Sequence, residues 1–310
     1  MIARATLLAL VALAGAASVA RADDKAKKYE VKSKAVWKAG DTFTTVTAVS
    51  HEQTVQITVN GAATKAAGDG LVKVRWTCVE RVDTVGTDGR PTKRTIAFTK
   101  WAREAGGVAD STLEGTQVSV AGVGPERDWE FLGDAPVAST DAMDWLNEQY
   151  GHVAEGTTEP DPLAMFASKG PVAVGATWDV DAKGLPAVSV SGVSAHADEN
   201  AKTTAKLESA DKGLATVSVR GSVPLKGEQS DKMKWAKPPA LEITASATIP
   251  LDGRFTRLVF KDERVLDAST TVETEGGGSA TIRIRLADLT ESKSTPGGTI
   301  PPPPKLAPEK

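Results

Sequence analysis

The sequence predicts a mainly β protein in which two similar antiparallel curved-sheet or open-barrel units are joined by a short helical connector. Apolar and polar residues alternate over long stretches, for example from Leu241 to Leu251, and Asn-Gly or Asp-Gly pairs follow several of these stretches. This period of two is typical of strands with one buried face. A single stretch, beginning at Ser139, has helical spacing, and similar segments occur in the same order on either side of it.

Residues 1–22 have the features of a signal peptide. A basic residue, Arg4, precedes an apolar run from Leu7 to Ala20, and the segment ends in an A-x-A cleavage signature. The run is short and rich in alanine for a membrane span. We expect cleavage after Ala22, export to the periplasm or the extracellular space, and a mature chain without a transmembrane span. The alternative is an N-terminal anchor that is not cleaved.

Residues 23–138 form the first predicted β unit. Val55, Ile57 and Val59 alternate with polar residues before an Asn-Gly turn signal. A long strand then carries one predominantly apolar face, made of Val72, Val74, Trp76 and Cys78. Cys78 is the only cysteine, which rules out a disulfide within the chain, and its position on this face predicts a buried apolar role.

The helical connector is predicted at residues 139–170. Ser139 and the acidic residues that follow it suit a helix N-terminus, and Met143, Leu146 and Tyr150 share one face. A second short helix is predicted at 161–167, with a proline at its first position. If the connector packs over an open cavity, the three apolar residues become candidate ligand contacts.

Residues 171–292 form the second predicted β unit. Its strands are long, and many of their inward positions hold small residues, so the sheet could wrap a helix or enclose a cavity. Residues 293–310 contain four consecutive prolines and are expected to form a disordered tail that is extended and mobile and does not pack on the core. The sequence leaves open whether the two units form one continuous sheet or two domains.

The two predicted units share three short similarities in the same order. Residues 40–43 resemble 175–178, residues 69–74 resemble 212–217, and residues 113–116 resemble 251–254. All six segments carry a glycine next to a predicted strand or turn. Their order and nearly constant spacing indicate an internal repeat.

Composition excludes some classes of function. The 310 residues are 40% hydrophobic and 25% charged, and the formal net charge is −3. No basic stripe with interleaved aromatic residues is present, so a nucleic-acid interface is not expected. His51 and His196 occupy similar places in the two units, but only Glu52 and Asp198 lie near them. No metal site and no cofactor are therefore predicted.

We expect a non-enzymatic exported protein that binds an apolar ligand or an envelope protein. The sequence lacks the short motifs of serine hydrolases, zinc proteases and phosphate-binding loops. The candidate ligand contacts are Met143, Leu146 and Tyr150 of the connector and Trp235, which lies in a predicted basic, apolar loop before a long strand. No catalytic residue is assigned.

The alternative is a hydrolase that acts on envelope polymers through paired carboxylates. The connector supplies the candidates, namely Asp141, Asp144, Glu155 and Glu159. A pair of acids in one cleft, roughly 5–10 Å apart, would favour this reading. Acids that all point into bulk solvent would exclude it.

The chain also resembles a family of exported bacterial β proteins of unknown function that is common in planctomycete-type genomes. The resemblance is carried by the leader, the Gly-Asp-Thr-Phe segment at 40–43, the segment 171–178 and the Leu-Asp-Gly-Arg turn at 251–254. It implies a fold and export, and it assigns no catalytic residue. More loosely, the long strands and helical connector are similar to the lipoprotein-carrier half-barrel, in which helices close an apolar cavity.

Overall fold

The computed structural model describes residues 27–32, 35–63, 70–122, 128–134, 138–150, 164–181, 188–190, 193–197, 201–227, 233–254, 258–273 and 277–304. The predicted signal peptide, the start of the second predicted helix, Glu155 and Glu159 lie outside these residues.

The described residues form mainly β-strands, as predicted, together with one α-helix and one turn of 3-10 helix. The helix α1 spans Thr140–Tyr150, and the 3-10 turn spans Ala164–Phe166. The strands, in chain order, are β1 (Lys28–Tyr29), β2 (Thr42–Val59), β3 (Ala62–Ala63), β4 (Gly70–Val85), β5 (Pro91–Ala105), β6 (Val108–Asp110), β7 (Gln117–Ala121), β8 (Asp128–Phe131), β9 (Val172–Ala173), β10 (Thr177–Asp181), β11 (Val188–Val190), β12 (Val193–Ala197), β13 (Lys202–Asp211), β14 (Leu214–Gly227), β15 (Met233–Pro250), β16 (Val259–Glu273) and β17 (Ser279–Pro296).

Most of these strands belong to one antiparallel sheet. The order across it is β10, β13, β14, β15, β16, β17, β2, β4, β5, β7 and β8. In the described residues β10 and β8 stand at opposite edges, so the sheet is open. Each half is a run of neighbouring antiparallel strands, and the last strand of the chain, β17, lies beside β2 from the first unit.

The contact between β17 and β2 joins the two predicted units into one sheet. Its register runs without a shift from the pair Ala280 and Val59 to the pair Pro296 and Phe43. A long ladder of backbone hydrogen bonds therefore crosses the boundary between the units, and the sheet has no break at this point.

The first of the three predicted similarities has the same local geometry in both units. Gly40 and Gly175 have φ values of 88° and 87°, and each lies two residues before a strand. The amide of Gly40 donates to the carbonyl of Val82 (2.8 Å), and that of Gly175 donates to the carbonyl of Leu207 (2.7 Å). Glycine suits both positions because L side chains rarely adopt positive φ.

The other two similarities occupy different places in the strand order. Residues 212–217 span the turn between β13 and β14, whereas the described part of 69–74 opens β4. Residues 113–116 precede β7, whereas 251–254 follow β15, the strand next to β14. Short glycine-containing turns recur in any β protein, so these matches reflect turn chemistry rather than equivalent positions.

The C-terminal segment packs on the sheet, in contrast to the expectation for residues 293–310. Strand β17 continues to Pro296, and the amide of Gly297 donates to the carbonyl of Thr42. Carbonyls further along accept hydrogen bonds from the Gln117 side chain and the Asp134 amide. Prolines lack an amide donor but keep a carbonyl acceptor, so the extended segment still satisfies donors of the sheet. Residues 305–310 lie outside the described part.

One face of the sheet, called here the inner face, carries the core in two clusters. On strands β13 to β17 small apolar residues pack under Val31 and Phe166, and Val31 exchanges two hydrogen bonds with Ser168. On β4 and β5 the second cluster lies under α1, where Trp145 makes edge-to-face contacts with Trp76, at a centroid distance of 4.8 Å, and with two further rings. Polar residues of the same face separate the two clusters.

Ser139 is the N-cap of helix α1, as predicted. The Ser139 hydroxyl accepts a hydrogen bond from the amide of Ala142 (3.1 Å), and its carbonyl accepts one from the amide of Met143 (3.0 Å). This is the geometry of an N-cap residue. Within the described residues no helix has the length and apolarity needed to span a membrane.

Candidate functional site

A cleft of about 640 Å³ lies between α1 and the middle of the inner face. It occupies the polar region between the two core clusters. Five neighbouring strands (β16, β17, β2, β4 and β5) and the helix α1 line it. The lining residues are Val49, His51, Val72, Val74, Arg103, Asp141, Asp144, Trp145, Asp262, Arg264, Asp288 and Thr290.

The register of the central strands places the polar residues side by side. His51 of β2 lies opposite Asp288 of β17, and Asp288 lies opposite Arg264 of β16. In the next row, Thr290 lies opposite both Val49 and Asp262. Directly paired residues of antiparallel strands point to the same face, so these side chains meet at the inner face.

His51 and Asp288 form a pair at the opening of the cleft. The Nδ1 atom of His51 contacts a carboxylate oxygen of Asp288, and the two side chains are 43% and 48% exposed. This exposure shows that the cleft opens to solvent at the β2–β17 pair. Because the contact uses Nδ1, Nε2 is the ring nitrogen left for other partners.

Asp262 is the most deeply buried acid of the cleft, with a relative exposure of 7%. Its Oδ2 accepts hydrogen bonds from Nε and Nη2 of Arg264, at 3.0 Å and 2.7 Å. Its other oxygen, Oδ1, is buried and has no hydrogen-bond partner among the described residues. Buried carboxylate oxygens are normally paired, so this atom requires an explanation.

The helix side of the cleft carries two further acids. Asp141 pairs with Arg103 of β5, which ties the first turn of α1 to the sheet. Asp144 is exposed and has no ion pair among the described residues. Four aspartates and two arginines thus line the cleft, and the acids are in excess whether or not His51 is protonated.

An apolar surface lies beside these charges. Val49, Val72 and Val74 form it on the sheet, and the ring of Trp145 forms it on the helix. The three contacts between Trp145 and neighbouring aromatic rings fix the position of its indole. The cleft is therefore amphipathic, with a charged region over β16 and β17 and an apolar region over β2 and β4.

A hydrogen-bond network at the start of α1 positions the helix beside the cleft. The Ser139 hydroxyl donates to Asp110, whose other oxygen accepts from the amide of Thr112 at 2.9 Å. Partial burial would raise the pKa of Asp110, but the hydrogen bonds from Ser139 and Thr112, together with the charge of Arg103, outweigh it. The pKa of Asp110 therefore lies below its ordinary value.

The predicted ligand contacts lie outside this lining where their side chains are described. Leu146 is fully buried in the cluster under α1, and Met143 is partly buried against the same cluster. Tyr150 ends α1, and its side chain is outside the described part. Their role in ligand binding stays a prediction.

Trp235 lies in strand β15, and the prediction of a loop at this position is wrong. Two shifts of register, between Trp235 and Lys237 and between Lys237 and Ala240, accommodate the following prolines inside the strand. The Trp235 ring is partly buried against the core cluster of the second unit.

Two acids of the alternative hypothesis do line the cleft. The structure brings Asp141 and Asp144 together with Asp262 and Asp288, two acids that the sequence pattern did not indicate. Arg103 and Arg264 were not predicted either. A usable signal existed, because charged residues interrupt the apolar inward series of β16 (Asp262, Arg264) and of β17 (Asp288).

The remaining candidates for chemistry are Cys78 and side chains that could bind a metal ion. Cys78 is buried within the cluster under α1, as predicted. No group of three metal-binding side chains occurs among the described residues with the proximity that a metal ion requires.

Comparisons with known proteins find only weak structural similarity. No protein-family model matches the chain, and no curated protein matches it. A structure of lipovitellin that describes lipid–protein interactions has a TM-score of 0.36 and 11% identity, over 86% of this chain and 27% of that chain. The outer membrane protein OprG of Pseudomonas aeruginosa has a TM-score of 0.24 and 6% identity, over 84% of this chain and 98% of its own.

The toluene transporter TodX of P. putida has a TM-score of 0.14 and 8% identity, over 85% of this chain and 92% of its own. The planctomycete-type family suggested by the sequence is not supported by these comparisons. Similarity at this level says nothing about what this chain binds.

Proposed function

We propose that the protein is an exported, non-enzymatic binding protein that holds an amphipathic ligand in the cleft between α1 and the inner face. The observation that carries this proposal is the cleft itself, whose volume of about 640 Å³ falls within the range of small-molecule sites, roughly 300–1,000 Å³. Export rests on the features of residues 1–22.

The apolar surface of Val49, Val72, Val74 and Trp145, called here the apolar wall, gives the cleft its binding energy. Trp145 is held by its aromatic neighbours, and the adjacent valines of β2 and β4 are held by the sheet. A ligand that covers this wall gains about 25 cal/mol for each Å² of apolar surface removed from water. Because the wall is already rigid, little conformational entropy is lost on binding.

The charged wall gives the cleft its specificity. Buried or half-buried charges opposite an apolar surface fix the orientation of a ligand that has one polar end. Met143, Leu146 and Tyr150 remain part of the proposal through α1: Leu146 anchors the helix that carries Trp145, and Tyr150 lies at its far end. An envelope protein remains the alternative partner, with Trp235 as its candidate contact.

Filling the cleft tests the proposal. Val72 and Lys73 are neighbours in β4 with opposite orientations, Val72 towards the cleft and Lys73 exposed. We expect Val72→Trp to abolish the calorimetric binding of n-octyl probes with alcohol, amine or carboxylate ends, and Lys73→Trp to leave it unchanged. Failure of all three probes to bind the unaltered protein would refute the proposed function.

A second function is favoured by one observation, the pair of His51 and Asp288 in the same cleft as Asp144. A histidine oriented through Nδ1 can use Nε2 as a general base towards water. This arrangement would suit hydrolysis of an envelope polymer. The test is to incubate the protein with purified cell-wall polymer and measure the release of new chain ends. Release that is lost in both His51→Ala and Asp144→Asn would establish hydrolysis. Release no faster than in buffer would exclude it.

A further inference from the structure

We infer that the polar end of the ligand is an ammonium group and that Oδ1 of Asp262 accepts a hydrogen bond from it, with Asp144 as the second negative charge. This inference rests on the proposed function, because it identifies the chemical class of the ligand in the same cleft. It concerns the head group, whereas the proposed function concerns the binding of an amphipathic molecule as such.

The first observation is the unsatisfied oxygen of Asp262. Both hydrogen bonds from Arg264 go to Oδ2, so the guanidinium group leaves Oδ1 without a donor. The residue is more than nine-tenths buried and lines the cleft. A buried acceptor with no donor is costly, and the cost is larger for a charged group. Oδ1 has almost no accessible surface in this structure, so a donor within the cleft reaches it after a small rotation of the Asp262 carboxylate, and that contact would remove the cost.

The second observation is the charge of the cleft. Arg264 is engaged by Asp262, and Arg103 is engaged by Asp141. Asp144 has no such cation among the described residues, and four aspartates face two arginines in the lining as a whole. An anionic head group would meet this excess of acids, whereas a cation would offset it.

An organic ammonium group fits these acids better than a metal ion does. Calcium requires six or more oxygen ligands at short range, and no suitable group of three acidic, histidine or cysteine side chains occurs among the described residues. An ammonium group donates three hydrogen bonds without a fixed coordination geometry. Its hydrogen bond to a carboxylate is charge-assisted and is roughly twice as strong as a neutral one.

The register also places an apolar surface within reach of the alkyl tail of such a ligand. Thr290 lies between Asp262 and Val49, and Val74 follows Val49 in the same row. Neighbouring strands are about 4.8 Å apart, so the apolar wall begins roughly 10 Å from Asp262, across two strand spacings. A primary amine on a medium-length alkyl chain can therefore contact both ends of the cleft.

Three probes with the same alkyl chain separate the head group from the tail. We titrate n-octylamine, n-octanol and octanoate into the unaltered protein at neutral pH and measure each dissociation constant by calorimetry. We expect octylamine to bind at least about tenfold more tightly than octanol, as a charge-assisted hydrogen bond in a partly desolvated site would give, and octanoate to bind most weakly.

Matched variants show which acids cause the preference for octylamine. Asp262→Asn should remove most of the preference for octylamine over octanol, while Asp267→Asn should not, because Asp267 lies in the same strand and pairs with Arg283 away from the cleft. Asp144→Asn, at an exposed helix position, should lower octylamine affinity several-fold without affecting the fold. If Asp262→Asn does not fold, the octylamine affinity of Asp144→Asn tests the inference in its place.

Equal affinities for octylamine and octanol would overturn the inference and leave the proposed function standing; a water molecule on Oδ1 would give this result. A preference for octylamine that survives in Asp144→Asn and in a folded Asp262→Asn would also overturn it. If no octyl probe binds, the proposed function fails instead.

Discussion

His51 of β2 and Asp288 of β17 are directly opposed in the antiparallel register, and their side chains are in contact. The two residues are 237 positions apart in the chain. Their contact shows how the two units come together: β17, the last strand of the second unit, pairs with β2, the first long strand of the first unit, and the candidate site forms on both sides of that junction.

The junction is held by its backbone ladder rather than by this pair. The pair is almost half exposed, so we expect Asp288→Ala to lower the free energy of unfolding by less than about 1 kcal/mol. Urea unfolding of both proteins measures the difference. A loss of several kcal/mol would show that the pair itself stabilises the junction.

Leu146 should contribute far more to stability than its neighbour Asp144. Leu146 is fully buried under α1, and its replacement by alanine should cost about 2–5 kcal/mol, because the transfer free energy is lost and a cavity remains. Asp144→Ala, two residues away on the exposed side, should change stability by less than about 0.5 kcal/mol. Similar values for both variants would contradict the placement of the helix.

Asp110 should make stability depend on pH in the acidic range. Its pKa is lower in the folded protein than the ordinary value of 3.8, so the unfolded chain binds the proton more readily. The stabilisation is therefore fully present above the ordinary pKa and is lost as the pH falls through the folded-state value. Denaturant unfolding at a series of pH values should show wild type and Asp110→Asn converging below this window. A constant difference between them would contradict the shift.

The C-terminal segment should stabilise the first unit. A chain that ends at Pro296 loses four hydrogen bonds, which join the segment to Thr42, Thr44, Gln117 and Asp134. We expect a cost of about 3–5 kcal/mol, at roughly 1 kcal/mol for each bond plus lost packing. Gly298 also covers the buried Val79, since a Cβ at residue 298 would lie 2.9 Å from its Cγ1. A chain that ends at Pro304 keeps all of these hydrogen bonds and is the control, so it should unfold at a higher temperature than the chain that ends at Pro296. Equal melting temperatures for the two truncated chains would contradict this role of the segment.

Local sequence patterns predicted the long strands, the helix α1 and the residues that form the buried face of the sheet. Alternation in β15 correctly placed Leu241, Ile243 and Ala245 on the buried face, and the capping serine correctly placed the start of α1. These signals are local because each depends on residues within a few positions.

The candidate site depends on pairings that local patterns do not contain. No spacing rule links Asp262 or Asp288 to His51, because strand order and register bring them together. The loop predicted at Trp235 failed for a related reason. The prolines after it suggested a break, whereas shifts of register absorb them within β15.

The indole N–H signal of Trp145 tests the central claim most directly. In ¹H–¹⁵N spectra of the protein titrated with n-octylamine, n-octanol or octanoate, we predict that this signal shifts and saturates with at least one probe. The signal of Trp178, which donates to the Ala167 carbonyl and is not part of the cleft lining, should stay in place. A Trp145 signal that stays fixed with every probe, or indole signals that all drift together without saturation, would contradict ligand binding in the cleft.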